Sequence, residues 1–293
     1  MLHRPVVGVD GSPPSDAALR WTVRHLASGG SVHLVHGTEG YVDSVRELLG
    51  FDPHDVAERI AAAHLDTWTR GLGRTEHSAE AVAATPADAI LDAADRLDAD
   101  AVVVGVHSHR RWAPHHVGSI AAKLLHRSSV PVVVVPAPEG DTDSGADVAG
   151  EVVVVGVDGA DGSEGPLAWG VAAARAEGLP LRVVWVLDRH RDAAAVLYSG
   201  FDPTTVRDEM AVTLHELVER VGVEGVDVEE VVPVGYPEDE LLELAADASL
   251  LVVGRRPIGA VGEYLTGSTS RWCVARAGCP VAVVPTAARR PDR

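Results

Sequence analysis

The feature that most constrains the fold of this chain is an internal repeat. The segment VVGVDGS, at 6–12, recurs as VVGVDGA at 154–160. The longer segment AVVVGVHSHRRWAPHHVGS, at 101–119, aligns without gaps on LLVVGRRPIGAVGEYLTGS, at 250–268. Because these matches follow the same order at an offset of 148 to 149 residues, we interpret the 293-residue chain as two copies of one unit.

The composition between the copies predicts where they separate. The segment at 137–150, APEGDTDSGADVAG, is rich in Pro, Gly, Ser and Asp and poor in bulky apolar residues, which is typical of a linker. The sequence therefore predicts a first domain over 1–137, a linker over 138–150 and a second domain over 151–288.

Within each copy, valine-rich runs alternate with segments of helical periodicity. In the first copy the predicted strands are 5–9, 32–36, 80–84, 101–106 and 130–136, of which 80–84 is only weakly marked. The first helix is predicted over 15–26, with Ala18, Leu19, Thr22 and Leu26 on one face. Continuous apolar runs indicate strands buried on both faces, hence a parallel sheet with right-handed crossovers. Each copy is predicted to be a doubly wound α/β domain with a five-stranded parallel sheet.

The composition also argues against two classes of partner. The net charge is −18 and aromatic residues make up only 4%, so the surface repels phosphate backbones and offers few rings for base stacking. No apolar run approaches the ~18–20 residues of a membrane span, and no secretory signal pattern is present. We expect no nucleic-acid partner, no membrane association and a cytoplasmic location. The two cysteines, Cys273 and Cys279, lack zinc-ligand spacing and are expected to be small core residues.

Ligands of open parallel sheets bind beyond the carboxyl ends of the strands, and the loop after the first strand reaches that edge. Asp10, Gly11 and Ser12 follow the first strand of the first copy. In the second copy Asp158 and Gly159 take the equivalent places. This is the first of three loops in each copy that could carry chemistry at that edge.

Two further loops reach the same edge. The second strand is followed by His36 and Gly37 in the first copy and by Trp185 and Val186 in the second. The loop after the fourth strand ends at Gly118 and Ser119, just before a helix. The N–H groups and positive dipole of such a helix start suit a phosphate, but a serine there is also common as a plain helix cap. Both interpretations stay open at this level.

The long loop has a spacing that resembles a known family. It reads Gly105-x2-Ser108-x9-Gly118-Ser119 in the first copy, and the second copy has the same spacing with Pro257 in place of Ser108. This resembles the universal stress protein family, whose ATP-binding members carry G-x2-G-x9-G-[S/T]. The resemblance extends to the VGVDG start and the closing Pro-Val-x-Val-Val-Pro strand of both copies. It implies the tandem form of the family, with an adenine-nucleotide α-hydrolase-like, Rossmann-like fold in each half.

The resemblance also implies a set of binding residues for ATP, possible with Mg²⁺. In ATP-binding members the aspartate after strand one and the end of strand two hold the nucleoside, and the loop glycines with the Ser or Thr hold ribose and phosphates. Carried over, the candidates in the first copy are Asp10, Gly11, Ser12, Gly37, Gly105, Ser108, Gly118 and Ser119. In the second copy they are Asp158, Gly159, Val186, Gly254, Pro257, Gly267 and Ser268.

The middle glycine of the family spacing is missing from both copies. Ser108 keeps the backbone N–H but adds a Cβ, whereas Pro257 has no N–H and a fixed φ. A lost hydrogen bond to a charged phosphate costs roughly 1.5–3 kcal/mol, or one to two decades of affinity. We therefore expect ATP to bind more readily in the first copy than in the second.

The same loop of the first copy also contains His107, His109, His115 and His116. Neighbouring imidazoles could bind Zn²⁺ or contact a phosphate or a partner. The loop has no cysteine or carboxylate, and the second copy has no equivalent histidines. Solvated loop histidines are therefore the favoured interpretation, and no metal site is predicted.

Three functions are compatible with these residues. The first is a regulatory stress-response module that binds ATP without efficient turnover, since no catalytic set repeats in both copies and no Walker A motif exists. The second is a slow ATP hydrolase. The third is a nucleotide-independent module for dimerisation and partner docking. The resemblance implies pairing of the final strands, 132–135 against 281–284, between the halves, and a homodimer with an unknown protein partner is then plausible.

Overall fold

A computed structural model describes most of each copy of the repeat. The described residues are 2–39, 59, 63, 67–69, 72–107, 117–137, 150–159, 162–189, 202–255 and 268–286. They fall into two units, which correspond to the two copies in the sequence. No helix within these ranges combines the length and the apolar character that crossing a membrane requires.

The first unit is a parallel sheet with helices packed on it. Its strands are β1 (Pro5–Gly8), β2 (Ser31–Gly37), β3 (Glu76–Val82), β4 (Ala101–Val106) and β5 (Val132–Pro136), and its helices are α1 (Pro13–Arg24), α2 (Pro86–Arg96) and α3 (Ser119–Arg127). The strand order is β3-β2-β1-β4-β5, and every neighbouring pair is parallel. Helix α1 packs against β4 and β5, and α2 packs against β2 and α3. This arrangement confirms the predicted fold class.

The second unit repeats this plan with small additions. Its strands are β6 (Val152–Val157), β7 (Leu181–Trp185), β8 (Leu187–Asp188), β9 (Val228–Val231), β10 (Val234–Gly235), β11 (Ala248–Arg255) and β12 (Val281–Pro285), and its helices are α4 (Glu164–Glu177), α5 (Pro203–Val221), α6 (Pro237–Leu244) and α7 (Ser268–Arg276). Its strand order, β9-β7-β6-β11-β12, is the same as that of the first unit. Strands β8 and β10 pair with each other in a separate short sheet.

The valine-rich runs form the centre of each sheet. Val6, Val7, Val102 and Val103 are fully buried, because β-branched side chains pack well on a sheet that is covered on both faces. The two cysteines are buried in the core of the second unit, as expected, and burial raises the pKa of Cys273 to about 12. Both thiols are therefore inert packing groups near neutral pH.

Two predicted boundaries in the first copy are wrong. The third strand lies at 76–82 instead of 80–84, because β3 is an edge strand with mostly polar, solvent-facing residues and takes its register from pairing with β2. The first helix begins at Pro13 and ends at Arg24, so Leu26 follows it. Ala18, Leu19 and Thr22 are buried, as the periodicity predicts.

Local chemistry explains where α1 and α2 begin. Ser12 caps α1 by accepting a hydrogen bond from the Ser15 N–H at 3.4 Å, and prolines follow at the first two helical positions. Thr85 caps α2 by accepting from the Asp88 N–H at 3.2 Å, again with a proline next. A hydroxyl cap followed by proline is a strong start signal because proline lacks the N–H that would stay unpaired there.

The carboxylate of Asp88 joins α2 to α3. It accepts a hydrogen bond from Nζ of Lys123 at 2.7 Å and others from the Thr85 hydroxyl and the Arg127 guanidinium. The hydrogen bond from Lys123, followed by those from Thr85 and Arg127, holds the pKa of Asp88 well below its usual value. This carboxylate therefore stabilises the folded state only while it is ionised.

Replacing Asp88 with asparagine is expected to lower the Tm at neutral pH, with the difference shrinking on acidification. The pKa of Asp88 is lower in the folded than in the unfolded chain. Its contribution is thus present above the unfolded value of about 4 and is lost as the pH falls through the folded value. Thermal melts of both proteins from about pH 7 to about pH 2 measure this convergence.

Asp92 on the same helix provides a matched control. Its side chain is 80% exposed and lies 3.9 Å from the Arg96 guanidinium, so Asp92→Asn is expected to leave the Tm nearly unchanged at every pH. A Tm deficit of Asp88→Asn that stays constant across the whole range would contradict the electrostatic explanation.

Candidate functional site

A cleft lies at the carboxyl ends of the central strands of the first unit. The cleft is partly open to solvent, and the space inside it together with the solvent at its mouth is about 530 Å³. Its walls come from the ends of β1 (8–10), β2 (35–37) and β4 (104–105) and from the first turns of α1 (Ser12, Ser15), α2 (Pro86, Ile90) and α3 (Ile120, Ala121). This is the position at which open α/β sheets bind ligands.

Asp10 supplies the carboxylate of the cleft. Its Oδ1 accepts a hydrogen bond from the Ser12 N–H at 2.9 Å. Partial burial raises the pKa of Asp10, but hydrogen bonds from Ser12 and Ser15 and the nearby His36 ring lower it, so that the net pKa lies below its usual value. At neutral pH Asp10 is therefore an ionised acceptor, suited to the amine or hydroxyl donors of a ligand.

His36 lines the cleft at the end of β2. Its Nδ1 donates a hydrogen bond to the carbonyl oxygen of Val9 at 2.7 Å, which leaves Nε2 as the acceptor of the neutral ring. The imidazole also lies against the indole of Trp68, with ring centroids 5.1 Å apart. Sequence reasoning placed His36 and Gly37 together at this edge but carried only Gly37 into the set of binding residues, because the family resemblance assigns a role to the end of strand two without indicating which side chain faces the ligand.

Two of the predicted glycines are required by the packing of the protein itself. A Cβ on Gly105 would lie 1.9 Å from the carbonyl oxygen of Pro14, and a Cβ on Gly37 would lie 2.5 Å from Cα of Pro86. Both contacts are to backbone atoms, which cannot swing aside as a side chain can. These glycines line the cleft, but their identity follows from the close approach of α1 and α2 to the strands.

Gly118 is different, because no packing contact among the described residues requires a glycine there. It is the N-cap of α3 with φ −52° and ψ 147°, a conformation open to any residue, and no described atom lies within 4 Å of the position that a Cβ would take. As a glycine, Gly118 has no side chain with which to cap α3. Ala122 donates the first intrahelical hydrogen bond, to Gly118. The N–H groups of the first turn are thus directed out of the helix, which favours an anion.

The structure brings together part of the predicted site in the first copy. Asp10, Ser12, Gly37 and Gly105 line the cleft, and Gly11 lies beside it in the left-handed region with φ +76°. Gly118 and Ser119 begin α3, whose next two residues form the cleft wall. Ser108 and the histidines at 109, 115 and 116 lie outside the described residues, and His107 is exposed at the end of β4.

The second copy keeps the scaffold, the aspartate and the first-loop glycine of the site but has larger side chains at the end of its second strand. Asp158 accepts a hydrogen bond from the Ser163 hydroxyl at 3.1 Å. Gly159 has φ +67°, like its counterpart in the first copy, and the indole of Trp185 packs directly on it. Val186 is buried, and Gly254 lies within β11.

The rest of the second candidate loop is described only at its ends. Ser268 is the first residue of α7, which matches the helix start that the repeat predicts. Pro257 and Gly267 lie outside the described residues. The described residues contain no group of three or more His, Cys, Asp or Glu side chains placed to hold a metal ion.

A parallel α/β sheet with a cleft at its strand ends and an uncapped helix start beside it defines a class of small-ligand-binding domains. A model of the Universal stress protein family matches this chain twice, over residues 1–136 and 151–285. The chain belongs to the universal stress protein family, in the tandem two-domain form.

Individual relatives agree with this assignment. A universal stress protein of Mycolicibacterium smegmatis is 31% identical over 95% of this chain and 96% of that protein. The crystal structure of a universal stress protein from Archaeoglobus fulgidus covers 96% of both chains with a TM-score of 0.65 and 20% identity, which shows the shared fold. A universal stress protein solved in complex with cAMP is 27% identical and covers 47% of this chain and 99% of that one, with a TM-score of 0.38.

Proposed function

We propose that the first copy is a regulatory adenine-nucleotide-binding domain that takes ATP in the cleft at the ends of β1, β2 and β4. The observation that supports this proposal is that the cleft has two chemically different ends. An ionised carboxylate, Asp10, lies at one side of the cleft, and the uncapped start of α3 lies at another. A neutral, donor-bearing base or ribose suits the first, and a phosphate suits the second.

Three of the described helices begin beside the cleft, and the N-terminus of α3 is the most favourable of the three for binding the phosphates. Helix α1 is capped by the Ser12 hydroxyl and has an acidic residue, Asp16, in its first turn. Helix α2 is capped by Thr85, and Asp88 lies in its first turn. Helix α3 has neither a side-chain cap nor an acidic residue in its first turn. Because the chain as a whole is strongly acidic, this uncapped dipole is the favoured phosphate position.

The nucleoside then lies toward Asp10 and His36. Val9, Val35, Ile90 and Val104 supply apolar wall between the polar groups, which suits the flat faces of a purine. Asp10 accepts a hydrogen bond from a ribose hydroxyl or an exocyclic amine. The ring of His36, whose Nδ1 is bonded to the Val9 carbonyl, lies at the same end of the cleft. The roles of the candidate binding residues in both copies are likewise proposals.

Calorimetric titration of nucleotide-stripped protein with Mg-ATP tests this function. We expect one nucleotide per chain. An Asp10→Asn variant, which keeps the size of the side chain but removes the charge, is expected to bind about tenfold or more weakly through the loss of a charged acceptor. The absence of heat, with an unchanged Tm in the presence of ATP, would overturn the proposal in favour of a nucleotide-independent docking module.

A regulatory module also predicts the absence of efficient turnover. Incubation with Mg-ATP and measurement of released phosphate separates a binder from a slow hydrolase. Turnover that is lost together with binding in the Asp10→Asn variant would favour the hydrolase. Homodimer formation, pairing of the two halves through 132–135 and 281–284, and a cytoplasmic location are proposed here as well.

A further inference from the structure

The second copy has a tryptophan where the first copy has His36. In the first unit Gly8 of β1 pairs with Val35, and in the second unit Gly156 of β6 pairs with Val184. His36 and Trp185 are the next residues of their strands, so they take the same place at the carboxyl end of the sheet. The two copies therefore differ by a large ring at the position that lines the cleft in the first copy.

The indole of Trp185 lies against the loop that follows β6. A Cβ on Gly159 would lie 1.9 Å from Cζ2 and 2.0 Å from Cη2 of Trp185, which means that the ring rests on the glycine backbone. At the equivalent Gly11 of the first copy, the nearest described atom to such a Cβ is Nε1 of Trp68, at 3.8 Å. Among the described residues, the space beside the first-strand loop is therefore less obstructed in the first copy, and it is filled by the protein's own ring in the second.

A second enlargement accompanies the first. The residue after His36 is Gly37, and the residue after Trp185 is Val186, which is buried. Val186 adds a buried side chain at a position where the first copy has none, and where the Pro86 backbone lies 2.5 Å from the site of a Cβ. Both changes add apolar bulk at the end of the second strand, and Trp185 places its ring against the aspartate loop.

We infer that Trp185, with the buried Val186 next to it in the chain, closes the nucleoside end of the second site, so that the tandem chain has one open site and one that is filled by its own ring. This inference rests on the proposed function, because it takes the Asp10 and His36 end of the first cleft as the nucleoside position. The two copies then share a scaffold but divide roles, with nucleotide binding confined to the first.

The double variant Trp185→His and Val186→Gly restores the side chains of the first copy and tests the inference. Equilibrium dialysis with radiolabelled adenosine is the readout, because adenosine has no phosphate and its binding does not depend on the loop that contains Pro257. We expect the variant to bind one more equivalent of adenosine per chain than the wild type. No gain in a variant with a wild-type circular dichroism spectrum overturns the inference, as does a wild type that already binds two.

The number of adenosine molecules bound per chain also distinguishes a failure of this inference from a failure of the proposed function. A wild type that binds no adenosine contradicts the proposed function, yet a gain of one equivalent in the double variant still supports closure by Trp185. Trp185→His alone serves if the double variant fails to fold, with the same gain expected and no gain counting against closure. Trp272→His is the control for loss of a tryptophan, since Trp272 contacts Arg276 on α7 and its replacement is expected to add no site.

Discussion

A Gly105→Ala variant is expected to lose about 3 kcal/mol or more of its unfolding free energy. The added Cβ would lie 1.9 Å from the carbonyl oxygen and 2.2 Å from the carbonyl carbon of Pro14. Because α1 packs along β4, the helix start must shift as a backbone unit. At roughly 2–4 °C per kcal/mol, the Tm is expected to fall by about 6–12 °C, which thermal and urea denaturation followed by circular dichroism would measure.

The equivalent glycine of the second copy is the matched control. A Cβ on Gly254 would lie 3.2 Å from Cγ of Pro166 and 3.3 Å from Cγ2 of Thr286, which are side-chain atoms at tight but adjustable distances. Gly254→Ala is therefore expected to cost less than half as much as Gly105→Ala. Equal losses in the two variants, or an unchanged Tm for Gly105→Ala, would show that the contact with Pro14 does not determine this glycine.

Much of the fold could be predicted because its signals are local and occur twice. The repeat establishes two units, the valine runs predict buried parallel strands, and the Ser and Thr caps followed by proline mark helix starts. The predicted third strand begins too late in the chain because an edge strand has few buried residues, and its register depends on pairing with β2. That information lies in the partner strand and not in the strand's own pattern.

The position of the candidate site could be predicted from the sequence. The reasons why particular residues occur there could not. Asp10 and the start of α3 follow from the rule that ligands bind at the carboxyl ends of parallel strands. The need for glycine at 37 and 105 arises from approaches of distant backbone segments, which a spacing motif cannot distinguish from ligand contact. The contact of Trp185 with Gly159 is likewise visible only once two loops of the second copy are placed side by side.

Gly118→Ala is expected to weaken binding of Mg-ATP by the first copy about 10- to 100-fold with only a small change in Tm. The backbone conformation at Gly118 is open to alanine, and no described atom obstructs its Cβ, so the fold loses only the difference between glycine and alanine as N-cap residues. We expect the added methyl group to push a phosphate at the start of α3 away from one of the N–H groups that would hold it. Loss of one hydrogen bond to a charged phosphate costs roughly 1.5–3 kcal/mol, at ~1.4 kcal/mol per tenfold in affinity.

Adenosine distinguishes the phosphate end of the cleft from the rest of it. Because adenosine has no phosphate, its affinity is expected to change less than about twofold in Gly118→Ala, a difference below about 0.5 kcal/mol. Equal losses for ATP and adenosine would show that the methyl group disturbs the whole cleft, and an unchanged ATP affinity would place the phosphates away from α3. The packing of the described residues does not require a glycine at 118. Calorimetry with both ligands therefore tests whether the bound phosphate requires it.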